Sequence, residues 1–135
     1  TNKMNATTGE TNLSILLQTM KPVLHASDYV FCTVADTGVV HPDEIILLFK
    51  ETEGITLIIK KETADAAGLA YTFVAAWITL TVHSSLEAVG LTAVFSTALS
   101  KEGISCNVVA AFYHDHIFVD KKDAEKAMAV LNTLQ

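Results

Sequence analysis

The chain has 135 residues, half of them apolar and 18% charged, so its composition predicts a folded globular protein and excludes a disordered one. Its net charge is −6, and all nine basic residues are lysines. Because arginine is the preferred reader of phosphates and guanine edges, an acidic chain without arginine excludes a nucleic-acid partner. No apolar run reaches the roughly 20 residues of a membrane-spanning helix, which excludes a membrane partner.

The first half of the chain alternates helical and strand patterns. In order, these patterns predict a helix at 13–20, strands at 29–35 and 55–59, and a helix that ends at Gly68. Between the two strands, the turn residues Asp36, Thr37 and Gly38 open an insertion at 36–53. Within this insertion, residues 45–49 predict either a short strand or a helical turn.

The segment 73–83 alternates apolar and polar residues with a period of two, which predicts a strand with one buried face. Trp77, Thr79 and Thr81 share the face opposite the apolar residues. A sheet with helices on one side leaves its other face to water or to a partner. We therefore predict self-association through this face, as a homodimer.

The next helix has the clearest periodicity in the chain. Its apolar face consists of Leu91, Val94, Phe95, Ala98 and Leu99. Gly103 is placed to end the helix in a left-handed conformation, with Ile104 closing back onto the last turn. Two starts are possible: a capping box formed by Ser84 and Glu87, or a tight turn at Gly90.

A hairpin and a last helix complete the predicted elements. Residues 105–113 alternate as a strand, and the apolar pattern resumes at Ile117, so the pair His114 and Asp115 is predicted to be a two-residue turn. Asp120 is placed to cap the final helix. The buried stripe of that helix is Ala124, Ala127, Met128, Leu131 and Leu134.

The segment 89–107, VGLTAVFSTALSKEGISCN, resembles the signature of the ACT domain family. In that signature a glycine, here Gly90, opens the first helix, and a glycine with an isoleucine, here Gly103 and Ile104, leads into the second strand. The segment 79–119 is similar to small bacterial tandem ACT-domain proteins. This resemblance implies a ferredoxin-like fold and, in many members, a regulatory module that binds amino acids between paired domains.

We therefore expect an α+β protein of two ACT-like βαββα halves, with antiparallel sheets covered by helices. The N-terminal ACT-like half is expected at 10–70 and the C-terminal ACT domain at 71–135. Nothing strand-like is visible before Leu13 or after Leu134, so the run near 73–83 must serve both halves. The strands still missing would be completed by the other half or by a second chain.

The predicted ligand site lies at the start of the central helix. Gly90, Leu91 and Thr92 would place unpaired backbone amides there, which suits a carboxylate; the alternative is that Gly90 only permits the turn. The resemblance implies that the other contacts come from the second strand, often across an interface. In this chain those positions are Asn107, Val108 and Val109.

Catalytic and metal sites are less well supported by the sequence. The cluster with metal-ligand chemistry consists of His83, His114, Asp115 and His116. A turn between His114 and His116 would not direct both imidazoles at one ion, so we predict no metal and no cofactor. Ser84 and Ser85 lack the context of a nucleophile elbow, so no catalytic residue is predicted.

Cys32 and Cys106 lie in predicted strands, without metal-ligand spacing and without a signal peptide pattern, which predicts buried thiols in a reducing cytoplasm. The sequence thus favours a regulatory protein that binds an amino acid or related carboxylate and is not an enzyme. An assembly domain without a ligand is the alternative. A small metal-dependent enzyme is a minor third reading.

Overall fold

The structure is a computed structural model that describes residues 12–82 and 85–135. The helices are α1 (Leu13–Thr19), α2 (Lys61–Ala66), α3 (Leu91–Lys101) and α4 (Ala124–Asn132). The strands are β1 (Pro22–Leu24), β2 (Tyr29–Val34), β3 (Ile45–Lys50), β4 (Ile55–Lys60), β5 (Val74–Leu80), β6 (Asn107–Ala110) and β7 (Asp115–Asp120). The prediction of an α+β fold with antiparallel strands and helices is confirmed.

The chain divides into two compact units. One consists of Ala26–Ala76 and is called here the inserted unit. The other joins the residues up to His25 with Trp77–Gln135 and is called the split unit. The division expected from the sequence was into two consecutive segments, 10–70 and 71–135. In the structure, α1 and β1 from the first segment belong to the same unit as the C-terminal segment.

In the inserted unit the strand order is β3-β4-β2-β5. β2 pairs along its whole length with β4, and Val74 and Ala75 of β5 pair with Val30 and Tyr29. Apolar side chains from β2, β4 and α2, together with Val40 from the segment between β2 and β3, form the core of this unit. Its buried members are Val30, Cys32, Val34, Val40, Leu57, Ile59 and Ala64.

In the split unit β5 lies between β1 and β7, and β7 pairs with β6. Pro22, Val23 and Leu24 of β1 pair with Leu80, Thr79 and Ile78 of β5. The sequence analysis missed β1, and this strand supplies from within the chain the fourth strand that the C-terminal half was expected to lack. As predicted, β5 contributes to both halves.

The helices of the split unit bury one face each. Their fully buried side chains, together with those of the strands, are Leu16, Met20, Ile78, Leu80, Phe95, Leu99, Ile117, Phe118, Val119, Ala127 and Leu131. Apart from Ala127, which has only a methyl group, each of these side chains contributes about 1.5–3 kcal/mol when it leaves water. Within the described parts of the chain, none of the helices combines the length and apolar character needed to cross a membrane.

The predicted end of α3 is confirmed. Gly103 has a positive φ of 73°, its N–H donates to the carbonyl of Ser100, and the N–H of Ile104 donates to the carbonyl of Leu99 at 3.1 Å. Ile104 is 3% exposed, so the expected apolar closure also forms. The start is at Gly90; Ser84 of the alternative capping box lies outside the described residues.

The predicted position of the hairpin turn is wrong by two residues. Ala110 pairs with Asp115, and the N–H of Ala111 donates to the carbonyl of His114 at 3.1 Å, so Phe112 and Tyr113 occupy the turn. This register places Ile117 and Val119 in the core, and burial of these two side chains outweighs the turn preference of histidine and aspartate.

The start of the last helix also differs from the prediction. Asp120 caps a 3₁₀ turn at Lys121–Asp123, and α4 begins only after it.

Candidate functional site

The candidate site begins at the first turn of α3. Gly90 precedes the helix with φ 99° and ψ −20°, and no side chain of the described residues caps this end. The carbonyl of Gly90 accepts the first intrahelical bond, from the N–H of Val94 at 3.0 Å. Leu91 is buried, whereas Thr92 is exposed. The first amides of a helix have no partner within it, so the start of a helix is chemically suited to an anion.

Gly90 has a second role in the packing of the split unit. A Cβ atom added at Gly90 would lie 3.2 Å from Cδ2 of Leu13, a side chain of α1. Together with the positive φ, this contact means that a side chain at Gly90 strains the fold as well as the site. A substitution there cannot separate ligand binding from stability, and variants at the exposed Thr92 are better tests.

The second group of predicted residues lies on β6. Asn107 is opposite Phe118, and its side-chain Nδ2 donates to the backbone carbonyl of Phe118 at 3.1 Å. Val108 is 36% exposed, and Val109 lies opposite His116. The amide of Asn107 is therefore already engaged within the hairpin.

Three clefts are well defined on the described part of the chain, and none of these three is lined by the six predicted residues. The largest, of about 840 Å³, is an apolar groove between α3 and α4 with Lys101, Glu102 and Lys126 at one end. The other two, of about 310 and 390 Å³, belong to the inserted unit. The structure thus places the two predicted groups on α3 and β6, outside these three clefts.

The corrected hairpin register changes the geometry of the histidines. His114 and His116 are two residues apart on one face, with ring centroids 6.4 Å apart, so the argument from an intervening turn was wrong. Nδ1 of His114 lies 3.1 Å from the carbonyl of Val82. Among the described residues no three His, Cys, Asp or Glu side chains are placed to hold a metal ion. His83 lies outside the described residues.

His116 is part of a polar network that the sequence analysis did not find. Its Nδ1 is 3.0 Å from Nε1 of Trp77 and 3.0 Å from Oγ1 of Thr79, and that hydroxyl is 2.8 Å from Nε2 of His25. The shared face of Trp77 and Thr79 was visible in the alternating pattern. His25 was not, because it reaches this face only through the pairing of β1 with β5.

The two cysteines differ in environment. Cys32 is buried in β2, as predicted, and burial raises the pKa of its thiol. Cys106 precedes β6 and is only partly buried, which corrects the prediction that it lies in a strand. Burial raises the pKa of the Cys106 thiol to about 11, so very little of the nucleophilic thiolate is present at neutral pH.

Comparisons with known proteins agree with the fold. Two family models described as ACT domain match residues 8–76 and 73–133. A protein of unknown function from Vibrio cholerae, described as a possible transport protein, is 50% identical to this chain and has a TM-score of 0.79; the match covers 90% of this chain and 94% of that one. A search of curated proteins found no match.

Two more distant structures share the fold. The regulatory subunit of aspartate kinase from Thermus flavus is 10% identical, with a TM-score of 0.62, and the match covers 84% of this chain and 95% of that one. A protein from Agrobacterium tumefaciens is 15% identical, also with a TM-score of 0.62, over 85% of this chain and 88% of that one. At these identities the likeness concerns the fold alone.

Proposed function

Because the chain belongs to the ACT domain family, we propose that it is a non-catalytic regulatory module that binds an amino acid or a related small carboxylate. ACT domains typically bind amino acids in regulation, and similar folds include regulatory subunits of aspartate kinase. The observation that carries the proposal is the start of α3 at Gly90, which has no side-chain cap among the described residues.

The acid group of the ligand would bind the backbone amides at Gly90, Leu91 and Thr92. The helix dipole favours an anion there by about 0.3–1 kcal/mol, whereas micromolar affinity requires about 8 kcal/mol. Most of the affinity must therefore come from burial and paired hydrogen bonds. We propose that the polar end of the ligand binds near Asn107, Val108 and Val109 and that a second copy of the chain completes the cleft.

A homodimer is part of this proposal. The half-exposed Trp77 lies on the sheet face that was predicted to pair, and Val23 on the same face is 44% exposed. A partner covering this face would remove apolar surface from water. Light scattering at micromolar concentration is expected to give twice the monomer mass of 14.5 kDa, and a mass of 14.5 kDa would contradict the dimer.

The direct test is a thermal-shift screen against the twenty amino acids, followed by isothermal titration of each hit. A ligand at one hundred times its dissociation constant adds about 2.7 kcal/mol of apparent stability. The site is then tested with Thr92→Glu, which places a carboxylate in the first turn of α3 and competes for the same amides. Because an acidic residue there suits the helix dipole, the variant is expected to fold and to lose binding.

The matched control is Thr97→Glu. Thr97 is also exposed and lies in the middle of α3, so this variant makes the same change of charge on the same helix without reaching the first turn. It is expected to bind as the wild type does. Equal binding by the Thr92→Glu variant would show that the ligand binds elsewhere.

The alternative function is an assembly module without a ligand. It is favoured by the hydrogen bond from Nδ2 of Asn107 to the Phe118 carbonyl, which already uses one of the two donor hydrogens of the side chain assigned to the ligand. If no amino acid gives a thermal shift or heat of binding while the protein is a dimer, the assembly function is the better account.

A further inference from the structure

Four side chains on one face of the split unit form a continuous network, called here the imidazole–indole cluster: His25, Trp77, Thr79 and His116. The rings of His25 and Trp77 stack with centroids 3.6 Å apart and an angle of 12° between their planes. Trp77 also lies beside His116, with centroids 5.6 Å apart. Thr79 is 7% exposed and joins the two imidazoles through its hydroxyl.

The donors and acceptors of this cluster are assigned from one group, the indole of Trp77, whose bond to His116 is the one with a fixed direction. The indole Nε1 of Trp77 can only donate, so Nδ1 of His116 must be an unprotonated acceptor. The Thr79 hydroxyl, 3.0 Å from the same Nδ1, must then donate to it as well. The Thr79 oxygen is left to accept from Nε2 of His25 at 2.8 Å. His116 is therefore neutral in this structure, with its proton on Nε2.

We propose that His116 is an acid-sensitive switch that holds Trp77 on the sheet face while it is neutral and releases it when Nδ1 takes up a proton. Protonation would place an imidazolium N–H against the indole N–H and the Thr79 hydroxyl at the same time. The indole N–H would then lose Nδ1 as its acceptor, whereas the Thr79 oxygen could accept from the protonated Nδ1. The single tryptophan of the chain thus reports the state of this histidine.

His116, rather than His25, is assigned as the switch because protonation affects their bonds differently. A charged His25 would still donate from Nε2 to Thr79, and its stacking on Trp77 would become a cation–π contact. A charged His116 would lose the bond that its Nδ1 accepts from the indole, and could keep its contact with Thr79 only by donating to the hydroxyl oxygen. Burial lowers the pKa of both imidazoles, and the positive charges of His114 and His25 lower that of His116 further.

Charged groups on the neighbouring elements do not offset the lowering of the His116 pKa. On β6 the residue opposite it is the uncharged Val109. Asp115 precedes it in β7, where the side chains of successive residues point to opposite faces, and burial raises the pKa of that carboxyl, with His114 opposing. From α4, the buried side chains are Ala127 and Leu131, which carry no charge. Among the described residues, His25 and His116 are the imidazoles with ring contacts to the indole, and His114 lies beside His116.

The sign of the pH dependence follows from these directions. An unfolded histidine titrates near 6.5, and folded His116 binds its proton more weakly. The contribution of the neutral form to stability is complete above about pH 6.5 and is lost as the pH falls through the lower folded pKa. Release of Trp77 is expected in that same acidic range.

The test is the emission of Trp77 between pH 8 and pH 4.5, together with nitrogen NMR of the histidine rings. We expect Nδ1 of His116 to be unprotonated at pH 7.5, and Trp77 emission to change with a midpoint below about pH 6.5 that matches the His116 titration. In His116→Gln, an amide oxygen that does not titrate can still accept from the indole. That variant is expected to have no emission transition.

Two further variants serve as controls. His25→Gln removes a nearby positive charge, so the transition is expected to remain and to move to higher pH. His41→Gln alters an exposed histidine of the inserted unit, whose ring accepts from the N–H of Asp43, and is expected to leave the curve unchanged.

Four results would each overturn the switch: constant emission in the wild type, a transition that persists in His116→Gln, a protonated Nδ1 at pH 7.5, or loss of far-UV ellipticity at the same pH. If His116→Gln does not fold, the ring NMR of the wild type decides alone.

Discussion

The two units share one strand order: β3-β4-β2-β5 in the inserted unit corresponds to β6-β7-β5-β1 in the split unit. They differ in the segment that connects β2 with β3 and the corresponding segment that connects β5 with β6. In the split unit, β5 and β6 are separated by the 11-residue helix α3, which buries Leu91, Phe95 and Leu99. In the inserted unit, β2 and β3 are separated by two 3₁₀ turns at Thr37–Val39 and Pro42–Glu44. An ACT-like sheet therefore forms with or without a helix at this position, and the proposed carboxylate site depends on the helix α3 of the split unit.

The local sequence explains the missing helix. The carboxylate of Asp36 accepts from the N–H of Gly38 at 2.8 Å, and Pro42 begins the second turn, so the backbone groups of this segment are satisfied without helical bonds. Val40 is its one buried apolar residue, at 6% exposure, and joins the core of the inserted unit. This segment therefore contributes one buried valine to the core, whereas α3 contributes three buried side chains.

The largest predicted effect tests this difference directly. Phe95→Ala should destabilise the protein by about 3–5 kcal/mol, because it leaves a cavity in the core of the split unit. Val40→Ala removes two buried carbons and should cost only about 2 kcal/mol. Urea denaturation followed by far-UV ellipticity measures both. Equal losses would mean that the 3₁₀ segment contributes as much to stability as α3 does.

The sequence was sufficient for elements whose signals are local. The end of α3 follows from Gly103 and Ile104, five residues or fewer from the carbonyls they satisfy. Strand β1 was missed because it has only three residues, includes Pro22, and depends on pairing with β5 more than fifty residues away.

The site and the network show the same limit. The start of α3 was visible at Gly90, but whether Asn107 is free could not be known before its bond to Phe118 was seen. The cluster around Trp77 depends on His25, which is placed by tertiary pairing alone: its N–H donates to the Trp77 carbonyl at 2.9 Å. Periodicity indicates which face a residue shares with its neighbours in the chain, and it carries no register between distant strands.

A second prediction compares the glycines at the two ends of α3. Both have positive φ, but a Cβ at Gly103 would meet nothing within 4 Å, whereas at Gly90 it would meet Leu13. Gly103→Ala should cost about 1 kcal/mol from backbone strain, and Gly90→Ala about 2–3 kcal/mol. The measurement is again urea denaturation. If Gly90→Ala costs no more than Gly103→Ala, then α1 does not pack against the start of α3 as described.

A third prediction compares one capping side chain in each unit. Asn12 precedes α1, and its Oδ1 accepts from the N–H of Ile15 at 3.2 Å. Asn12→Ala should cost about 1 kcal/mol, the usual value for a lost helix cap. Asp36→Ala removes the cap of a 3₁₀ turn and should cost about 0.5 kcal/mol. Thermal unfolding of both variants at one pH provides the comparison, and a larger loss for Asp36→Ala would reverse this order.

The smallest predicted effect concerns the exposed ion pair of the inserted unit. Asp65 accepts a hydrogen bond from Tyr71 at 2.6 Å and another from Lys61 at 3.1 Å. Both bonds lower the pKa of the Asp65 carboxyl, and the bond from Tyr71 has the larger effect. The ionised form stabilises the fold above the ordinary pKa, and this contribution is lost as the pH falls through the lower folded value. Because the groups are exposed, the effect is small.

Asp65→Asn should therefore reduce stability slightly at pH 7 and leave it unchanged at the acidic end of the titration, when it is compared with the wild type by urea denaturation. The matched variant in the split unit is Asp123→Asn, which removes the pair with Lys122, a contact of 2.9 Å without a tyrosine. If the tyrosine strengthens the pair, Asp65→Asn has the larger effect at pH 7. Carbon NMR of the Asp65 carboxyl provides the independent check, and a pKa at or above the ordinary 3.8 would show that Tyr71 and Lys61 do not hold it in solution.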